Sequence, residues 1–259
     1  MLNRELTNII ESGSFSFPKT AERKNQDSVL PPKKVDNGYL FAVADGVGSY
    51  AGGEQASSIA IEFLESLTSA NDICDASFVF NSIKHKITQL SRIDDSLSSA
   101  ATTLTYGYID SNELVIGHIG DCRLYIKKDR KLKQITRDHT RYQELVENKV
   151  FTKKFLEDKK AKSILTTAIS SNVTMEYDTL RLPVKNLVDC SGEVSLYIMS
   201  DGTHGAWDKR RRIVETTVSN ITSTLYTLIK RVRYHGPSDD YSAVGLTIHL
   251  DDSRDLVLL

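Results

Sequence analysis

Short β-type runs joined by tight polar turns constrain the fold of this chain more than any other feature. Six runs have the apolar, β-branched and aromatic content of strands. They are Tyr39–Ala44, Ala101–Ile109, Leu114–Ile119, Arg123–Lys127, Val194–Met199 and Ala243–Leu250. Asp110-Ser111-Asn112 and Lys128-Asp129-Arg130 join neighbouring runs at hairpin distance. Because hairpins pair their strands antiparallel, the sequence predicts antiparallel sheets.

Three segments show the three- and four-residue spacing of apolar side chains that is typical of amphipathic helices. The first follows Gly52-Gly53, the second runs from Val79 to Leu90, and the third is read as one long helix from Val214 to Val232. Strands that arrive in hairpins, with helices between and after them, favour an α+β layered fold over a doubly wound parallel sheet.

The stretch from Thr140 to Lys162 is polar and rich in lysine, which predicts a surface excursion with some helix. No repeat or linker interrupts the chain, so we expect one domain over residues 1–259. The basic run Lys209-Arg210-Arg211-Arg212 is expected to open the last helix as a solvated face, and Trp207 is expected to pack in a core.

The charge balance limits the kinds of partner. Lys and Arg number 33 and Asp and Glu 34, which gives a formal net charge of −1 over 259 residues. A dedicated nucleic-acid binder needs a surplus of positive charge, so the balance argues against that class. A chain of this length can bury roughly three-quarters of its unfolded surface without disulfides or structural metals.

Cysteines and the N-terminal sequence bear on the compartment. Cys74, Cys122 and Cys190 form neither a CxxC pair nor a zinc pattern, which favours a reducing compartment. The first residues carry acids where a signal peptide needs an apolar stretch, and no window is long and apolar enough to span a membrane. We therefore expect a cytoplasmic protein that does not bind membranes, and we expect a monomer.

Aspartates at the ends of predicted strands are the main sign of function. Asp45-Gly46 and Asp201-Gly202 end strands, Gly120-Asp121 lies between two strands, Asp239-Asp240 precedes one and Asp27 precedes another. A single aspartate of this kind is an ordinary turn residue. Five of them in one chain indicate a shared site, where like charges would raise one another's pKa unless cations neutralise them.

Carboxylate oxygens without clustered Cys or His favour Mg²⁺ or Mn²⁺ over zinc or copper. A glycine after the aspartate allows a tight turn and leaves a backbone carbonyl free to bind the ion. Two such ions can activate water and bind the oxygens of a phosphoryl group, which points to hydrolysis of a phosphate ester. The sequence has no GxxxxGK[ST] loop, kinase HRD or DFG set, HExxH or GxSxG motif.

Eight motifs occur in the order in which they occur in the bacterial branch of the PP2C metal-dependent protein phosphatases, which the chain resembles from about Phe15 to Leu250. They are NQDS (Asn25–Ser28), ADGVGSYAGGEQAS (Ala44–Ser57), AATTL (Ala100–Leu104), IGDCRLYI (Ile119–Ile126), ITRDHT (Ile135–Thr140), SILTTAI (Ser163–Ile169), MSDGTHG (Met199–Gly205) and DDYSAVGLTI (Asp239–Ile248). Each motif alone is weak, but the ordered set is specific.

The resemblance implies a four-layer αββα sandwich with two central antiparallel sheets and a metal site at one sheet edge. It implies that Asp45 bridges two catalytic Mg²⁺ or Mn²⁺ ions, that the Gly46 carbonyl binds one of them, and that Asp201 and Asp239 bind the other. Asp27 would act through metal-bound water, and Asp121 with Asp201 would hold a third, looser ion. Asp45, Asp201 and Asp239 form the implied catalytic set.

The implied reaction is hydrolysis of phosphoserine or phosphothreonine in proteins by a metal-bridging hydroxide, in opposition to a Ser/Thr kinase. The stretch from Thr140 to Lys162 would be the flap beside the cleft, where substrate selectivity is expected. His139 and His204 are expected to be hydrogen-bonded or surface groups and stay outside the catalytic set.

Three positions depart from the family pattern. Glu22 stands where the family's phosphate-binding Arg lies, so Arg23, or Lys19 through a bulge, is expected to bind the phosphate. Val47 stands where many members carry a histidine, and Asp240 stands where they carry asparagine. These departures leave open a catalytically impaired PP2C-like domain that binds a phosphorylated partner. A regulatory partner that acts through the Lys-rich stretch is a third reading.

Overall fold

Two five-stranded antiparallel sheets form the centre of the molecule. The computed structural model describes residues 6–47, 52–128, 131–148, 164–209, 211 and 220–250. The strands are β1 Leu6–Phe17, β2 Asp27–Val35, β3 Gly38–Asp45, β4 Ala101–Thr102, β5 Leu104–Ile109, β6 Glu113–Ile119, β7 Arg123–Lys128, β8 Lys131–Gln134, β9 Ile169–Ser170, β10 Asp178–Pro183, β11 Glu193–Met199 and β12 Tyr241–Leu250.

The first sheet has the strand order β1-β12-β11-β7-β8, and the second has the order β10-β6-β5-β3-β2; β4 pairs separately with β9. Every pairing is antiparallel, as predicted. Both expected hairpins form, β5 with β6 and β7 with β8. In the first hairpin the Asp110 carboxylate accepts the backbone N–H groups of Asn112 and Glu113, which is why this acidic turn closes it.

Six helices are described: α1 Gly53–Ser66, α2 Ala70–Cys74, α3 Ala76–Ile93, α4 Arg141–Glu147, α5 Asp201–Lys209 and α6 Ile221–His235. Helices α1 and α3 lie where the apolar spacing predicts them. Their buried faces include Ala56, Ala60 and Leu64 on α1, and Val79 and Ile83 on α3. The spacing therefore marked the faces that pack on the sheet.

Three apolar clusters separate four layers. One lies between α1 and α3 and the second sheet, one between the two sheets, and one between the first sheet and α5 and α6. Along β3, Leu40 and Ala42 belong to the helix-side cluster, whereas Phe41 and Val43 belong to the cluster between the sheets. The predicted αββα sandwich is confirmed, and a central strand buried on both faces explains the continuous apolar run of β3.

The prediction of one helix from Val214 to Val232 is wrong. Asn220 has an extended backbone, and its side chain accepts the N–H of Ser223 as the N-cap of α6. The Glu11 carboxylate also accepts the N–H groups of Ile221 and Thr222, which have no partner within the first turn of the helix. The apolar spacing continues across Asn220, but this contact from β1 fixes the helix start there. Residues 212–219 lie outside the described part of the chain.

Two further boundaries differ from the sequence expectation. Lys209 ends α5 and does not open the last helix, and Arg210 and Arg212 lie outside the described residues. The run Ala101–Ile109 is two strands, because Thr103 leaves the ladder and donates its backbone N–H to the Asp45 carbonyl. Trp207 is buried in the cluster under α6, as expected.

The two ends of the predicted excursion meet in space. Thr140 forms an isolated bridge with Leu165, and the backbone N–H of Arg141 donates to the carbonyl of Ile164. Helix α4 follows Thr140, whose side chain caps it. Residues 149–163 lie outside the described residues, so the description of the excursion stops at its base.

Two findings bear on the compartment prediction. Cys74, Cys122 and Cys190 are all free thiols. A search of the described helices finds none with the length and hydropathy of a membrane span.

Candidate active site

Five aspartates from both sheets meet at one end of the sandwich. Asp27 begins β2 and Asp45 ends β3, and the two are paired in register. Asp201 begins α5 directly after β11, and Asp239 lies just before β12, the neighbour of β11. Asp121 lies in the turn between β6 and β7. Antiparallel neighbours place one strand's end beside the other's start, which explains the convergence.

Burial and mutual repulsion control the charge state of these groups. Asp27 is only 6% exposed, and burial raises its pKa to about 7, with additional increases from Asp201 and Asp240. Burial also raises the pKa of Asp201 to about 6, and the neighbouring Asp239 raises it further. Without cations to neutralise them, these carboxylates resist ionisation because water is excluded and like charges are close.

Asp45 is the carboxylate that interacts with all the others. Burial holds its pKa well above the usual range, and the charges of Asp27, Asp201, Asp121 and Asp239 raise it further. The pKa of Asp121 is also held well above its usual range, first by burial and then by the charges of Asp201 and Asp138. The structure therefore brings together the five aspartates that the sequence analysis singled out.

Two carboxylate oxygens at the site lack a partner. Asp27 Oδ1 and Asp201 Oδ1 are buried and accept no hydrogen bond from the described residues. A buried acceptor without a partner costs about 1–3 kcal/mol, and more if it is charged. A cation between the two aspartates would remove that cost, and their hard oxygens suit Mg²⁺ or Mn²⁺.

The described residues nonetheless contain no group of three His, Cys, Asp or Glu side chains arranged to hold an ion by themselves. Mg²⁺ keeps several of its water ligands and often binds a protein through only one or two carboxylates. Such an ion can therefore bind to a pair of aspartates, a backbone carbonyl and water, without three side-chain ligands.

A hydroxyl chain orients Asp27. The backbone N–H of Ser242 donates to Ser200 Oγ at 2.9 Å, and Ser200 Oγ donates to Asp27 Oδ2 at 2.8 Å. Ser200 is completely buried. Sequence reasoning missed this residue, although it directly precedes Asp201-Gly202 in the MSDG motif.

Two threonines position Asp45 through its backbone. The Asp45 carbonyl accepts the Thr103 N–H at 2.8 Å and the Thr102 hydroxyl at 3.0 Å, and the Asp45 N–H donates to Thr103 Oγ1 at 3.3 Å. These hydrogen bonds explain the AATTL motif, because its two threonines fix the backbone at the end of β3.

The glycines after the aspartates serve close backbone contacts. A Cβ at Gly46 would lie 2.3 Å from the Gly53 carbonyl oxygen, and a Cβ at Gly202 would lie 2.0 Å from the Asp240 carbonyl oxygen. Neither glycine has a positive φ. A backbone conformation with positive φ is therefore not the reason for glycine at these two positions. Backbone packing against the site loops requires glycine there.

Two histidines hold the Gly120-Asp121 turn. The N–H of Gly120 donates to His139 Nδ1 at 3.2 Å, and the N–H of His139 donates back to the Gly120 carbonyl at 2.7 Å. From α5, His204 Nε2 donates to the Asp121 carbonyl at 3.0 Å. Burial lowers the pKa of His204 to about 4, so it is neutral at pH 7. Both are hydrogen-bonded groups, as predicted, but they contact the turn that carries Asp121.

Arg23 lies at the mouth of the site. Its Nη1 is 3.8 Å from Asp239 Oδ1, and its Nη2 donates to Gln26 Oε1 at 2.7 Å. A turn in which the Arg23 N–H donates to the Thr20 carbonyl precedes it. Glu22 is exposed to solvent. The turn thus directs Arg23, and not Glu22, towards the carboxylates.

Asp240 faces backbone amides. It is 3% exposed, its Oδ1 accepts the N–H of Lys19 at 2.7 Å, and its Oδ2 accepts the N–H of Gln26 at 2.8 Å. Both carboxylate oxygens are therefore used, and they tie down both ends of the segment that carries Arg23. An asparagine offers one acceptor oxygen and could satisfy only one of these two amides.

Arg123 is a buried cation whose charge lowers the pKa of both Asp121 and Asp201, but it forms its hydrogen bonds with other acids. Its guanidinium forms two parallel hydrogen bonds with Asp138 and a 2.8 Å hydrogen bond with Asp208. The network joins β7, the loop before α4 and the end of α5. Among the described residues, the five site aspartates have no salt bridge except the 3.8 Å approach of Arg23 to Asp239.

The fold of this chain is similar to that of solved bacterial phosphatases. The serine/threonine phosphatase Stp1 from Staphylococcus aureus superposes with a TM-score of 0.77 at 19% identity, covering 96% of this chain and 99% of that one. The Mycobacterium tuberculosis phosphatase PstP/Ppp superposes with a TM-score of 0.77 at 24% identity, covering 93% and 99%. A PstP catalytic domain solved with two manganese ions has a TM-score of 0.73 at 24% identity, covering 94% and 99%.

Sequence comparison gives the family. The model of the family described as protein phosphatase 2C matches residues 20–232. The serine/threonine phosphatase stp of Listeria monocytogenes is 26% identical over 186 residues, which are 69% of this chain and 71% of that protein. The protein phosphatase PhpP of Streptococcus pneumoniae is 24% identical over 238 residues, 89% and 94%. The chain therefore belongs to the protein phosphatase 2C family, in its bacterial branch, and is a protein phosphatase.

Proposed function

We propose that this protein hydrolyses phosphoserine and phosphothreonine in proteins with two Mg²⁺ or Mn²⁺ ions at the aspartate site. The observation that carries the proposal is the convergence of buried carboxylates whose Asp27 Oδ1 and Asp201 Oδ1 lack partners. The relatives named as serine/threonine phosphatases and the structural neighbour with two manganese ions support it.

In this proposal Asp45 would hold both ions, which agrees with its interaction with all the other site carboxylates. The Gly46 carbonyl would bind one ion, Asp201 and Asp239 the other, and Asp27 would act through water. Asp121 and Asp201 would hold a third ion more loosely. Bound at this site, the ions supply Lewis acidity that activates water and stabilises charge on the phosphoryl oxygens.

Arg23 binds the substrate phosphate in this proposal. A guanidinium can donate two parallel hydrogen bonds to phosphate oxygens, and Arg23 is already held at the mouth by Gln26 and Asp239. Val47 carries no titratable proton, so the leaving-group oxygen receives its proton from water.

The second candidate function is a catalytically impaired domain that binds a phosphorylated partner. The absence of a ready-made group of three ligands among the described residues favours it. This candidate was first suggested by the unusual residues Glu22 and Asp240. Two observations weaken that argument: Arg23 lies at the mouth where Glu22 does not, and both oxygens of Asp240 accept hydrogen bonds from backbone amides.

Phosphate release from a phosphothreonine peptide, measured with Mn²⁺ and with a chelator, separates the two functions. We expect turnover only with Mn²⁺, and its loss in Asp45→Asn and Asp201→Asn. The exposed Asp72→Asn is the matched control and should behave as the wild type. Calorimetric Mn²⁺ titration gives a readout that does not depend on turnover. Equal activity in Asp45→Asn would refute the metal site, and phosphopeptide binding without Mn²⁺ uptake would support the second candidate.

The remaining expectations from the sequence are also proposals. Residues 1–259 would form a single domain, with the excursion from Thr140 to Lys162 as a flap beside the site. The protein would act as a cytoplasmic monomer against a Ser/Thr kinase. Light scattering on the purified protein tests the monomer, and limited proteolysis tests whether the excursion is cut before the sandwich.

A further inference from the structure

The outer face of α6 carries a stripe of exposed aromatic and basic side chains. Tyr226, Lys230 and Tyr234 follow one another at four-residue spacing and so share one helix face. Tyr226 is 59% exposed and Tyr234 86% exposed. The Lys230 ammonium lies 4.7 Å from the centre of the Tyr226 ring. We call these three residues, with Arg233 beside them, the α6 stripe.

The α6 stripe has an uncompensated positive charge. Of the residues in the stripe, Lys230 and Arg233 are basic, and helix α6 contains no Asp or Glu. Within the described residues, neither Lys230 nor Arg233 forms an ion pair with a carboxylate. Attraction to the helix dipole accounts for basic residues in the last turn, but it does not account for two tyrosines held in solvent. Tyrosine and arginine side chains are enriched at binding surfaces.

The last turn of α6 borders the aspartate site. Helix α6 ends at His235, and Asp239 follows four residues later. The Arg233 guanidinium lies 5.3 Å from the centre of the Phe17 ring, and its Nε donates to Tyr241 Oη at 3.4 Å. Phe17 directly precedes the segment that carries Arg23, and Tyr241 directly follows Asp240. A peptide bound along the end of α6 therefore reaches the mouth of the site within roughly 14 Å, about four extended residues.

We propose that the α6 stripe binds an acidic segment of the phosphoprotein substrate, a few residues from the phosphorylated side chain. Charge complementarity identifies the occupant. The ammonium and guanidinium groups attract carboxylates, and the tyrosines supply ring surface and hydroxyl donors. The proposal rests on the proposed function, since it names a substrate class for the same site.

A short acidic segment fits this surface better than a long polyanion does. The stripe offers only two cations, Lys230 and Arg233, whereas a continuous run of phosphates, such as nucleic acid or an anionic bilayer, needs a longer row of them. A peptide can place its acids on α6 and only its phosphorylated residue at the site. Its specificity would then come from the rim of the site, where charges chiefly control association rate and salt dependence.

The test compares two phosphothreonine peptides that differ only in carrying glutamates or glutamines on one flank. The readout is the ratio of kcat/KM for the acidic peptide to that for the neutral one. We expect a ratio above one that falls with added salt. Lys230→Glu should lower the ratio roughly 3- to 10-fold, because it removes an attraction and adds a repulsion. Tyr234→Ser should lower it less. Lys185→Glu, the same charge change on an exposed turn of the other sheet, should leave it unchanged.

Several outcomes would overturn the proposal. In one outcome, the wild-type protein hydrolyses a chromogenic aryl phosphate but has the same kcat/KM for the two peptides. The proposed function would then hold, and binding of an acidic segment by the α6 stripe would be refuted. Equal effects of Lys230→Glu and Lys185→Glu would show that the response is to total charge and not to this surface. Binding of a single-stranded oligonucleotide or of phosphatidylglycerol vesicles that depends on Lys230, without peptide preference, would assign a different occupant.

Failure of the proposed function itself gives a different pattern. Absence of aryl phosphate hydrolysis with Mn²⁺ refutes catalysis but leaves the α6 stripe testable by fluorescence anisotropy of the two labelled peptides. Tighter binding of the acidic peptide, lost in Lys230→Glu, would support the surface in a protein without turnover. Equal dissociation constants for the two peptides would refute it.

Discussion

Ser200 Oγ donates a 2.8 Å hydrogen bond to Asp27 Oδ2 and so connects the start of α5 with the first residue of β2. The two residues are 173 positions apart in the chain. One oxygen of Asp27 is thereby fixed, and the other, Oδ1, is left free to accept a ligand.

The substitution Ser200→Ala removes the hydrogen bond that fixes Asp27 Oδ2. Loss of an outer hydrogen bond to a ligand typically costs about 10- to 100-fold in metal affinity. We expect a weakening of that size in Mn²⁺ titration calorimetry, with the fold kept, because alanine fits the space of serine. Ser91→Ala on α3, which removes a hydrogen bond to the Thr88 carbonyl away from the site, is the control. Unchanged Mn²⁺ affinity in Ser200→Ala would show that Asp27 needs no such support.

Asp240→Asn should harm this protein, although asparagine is the residue that the family pattern leads one to expect. The amide would satisfy either Lys19 N–H or Gln26 N–H and place its own donor against the other. One buried amide without an acceptor costs about 1–3 kcal/mol of unfolding free energy. Urea unfolding measures that loss.

Kinetics give a second readout of Asp240→Asn. Since the loosened segment carries Arg23, KM for a phosphopeptide should rise more than kcat falls. Asp189→Asn, away from the site, controls for the loss of one charge. A variant as stable as the wild type, with unchanged KM, would show that the two hydrogen bonds do not hold Arg23 in place.

His204→Ala tests the turn that carries Asp121. The Asp121 carbonyl would lose its 3.0 Å donor, and the turn would be held from the His139 side alone. We expect weaker occupancy of the loosest Mn²⁺ in calorimetry, with the tighter sites kept. His85→Ala on the exposed face of α3 is the matched control. Loss of the tight sites instead would show that His204 supports the whole centre.

The predictable part of the site lies in local sequence. An aspartate at a strand end next to glycine is visible in a short window, and antiparallel strands bring such ends together, so Asp45 and Asp201 could be found without a structure. Helices α1 and α3 were predictable for the same reason, because their apolar spacing is local.

The unpredictable part depends on contacts between distant residues. Glu11 fixes the start of α6, more than 200 positions away, and overrides an apolar pattern that continues through Asn220. Ser200, Asp240 and the two histidines act through backbone groups of other strands. No window of sequence contains both partners of such a contact.

The metal-free protein should have a distinctive pH dependence at Asp27. Its folded-state pKa of about 7 lies above the ordinary value of 3.8, so between these values the folded chain holds a proton that the unfolded chain has released. The unfolding free energy therefore falls as pH rises from about 4 to 7. The full effect is on the order of a few kcal/mol.

Comparison of wild type with Asp27→Asn isolates this contribution. Burial lowers the pKa of His118 and of His204 to about 4, which destabilises the folded state at low pH in both proteins and cancels in the difference. In a chelator, Asp27→Asn should gain stability over wild type as pH rises from 5 to about 7.5. Mn²⁺ should reverse the order at pH 7.5, because a carboxylate at this position holds metal-bound water more strongly than an amide does. A stability difference that stays constant with pH would mean that Asp27 ionises normally without metal, and the repulsion argued for the site would be wrong.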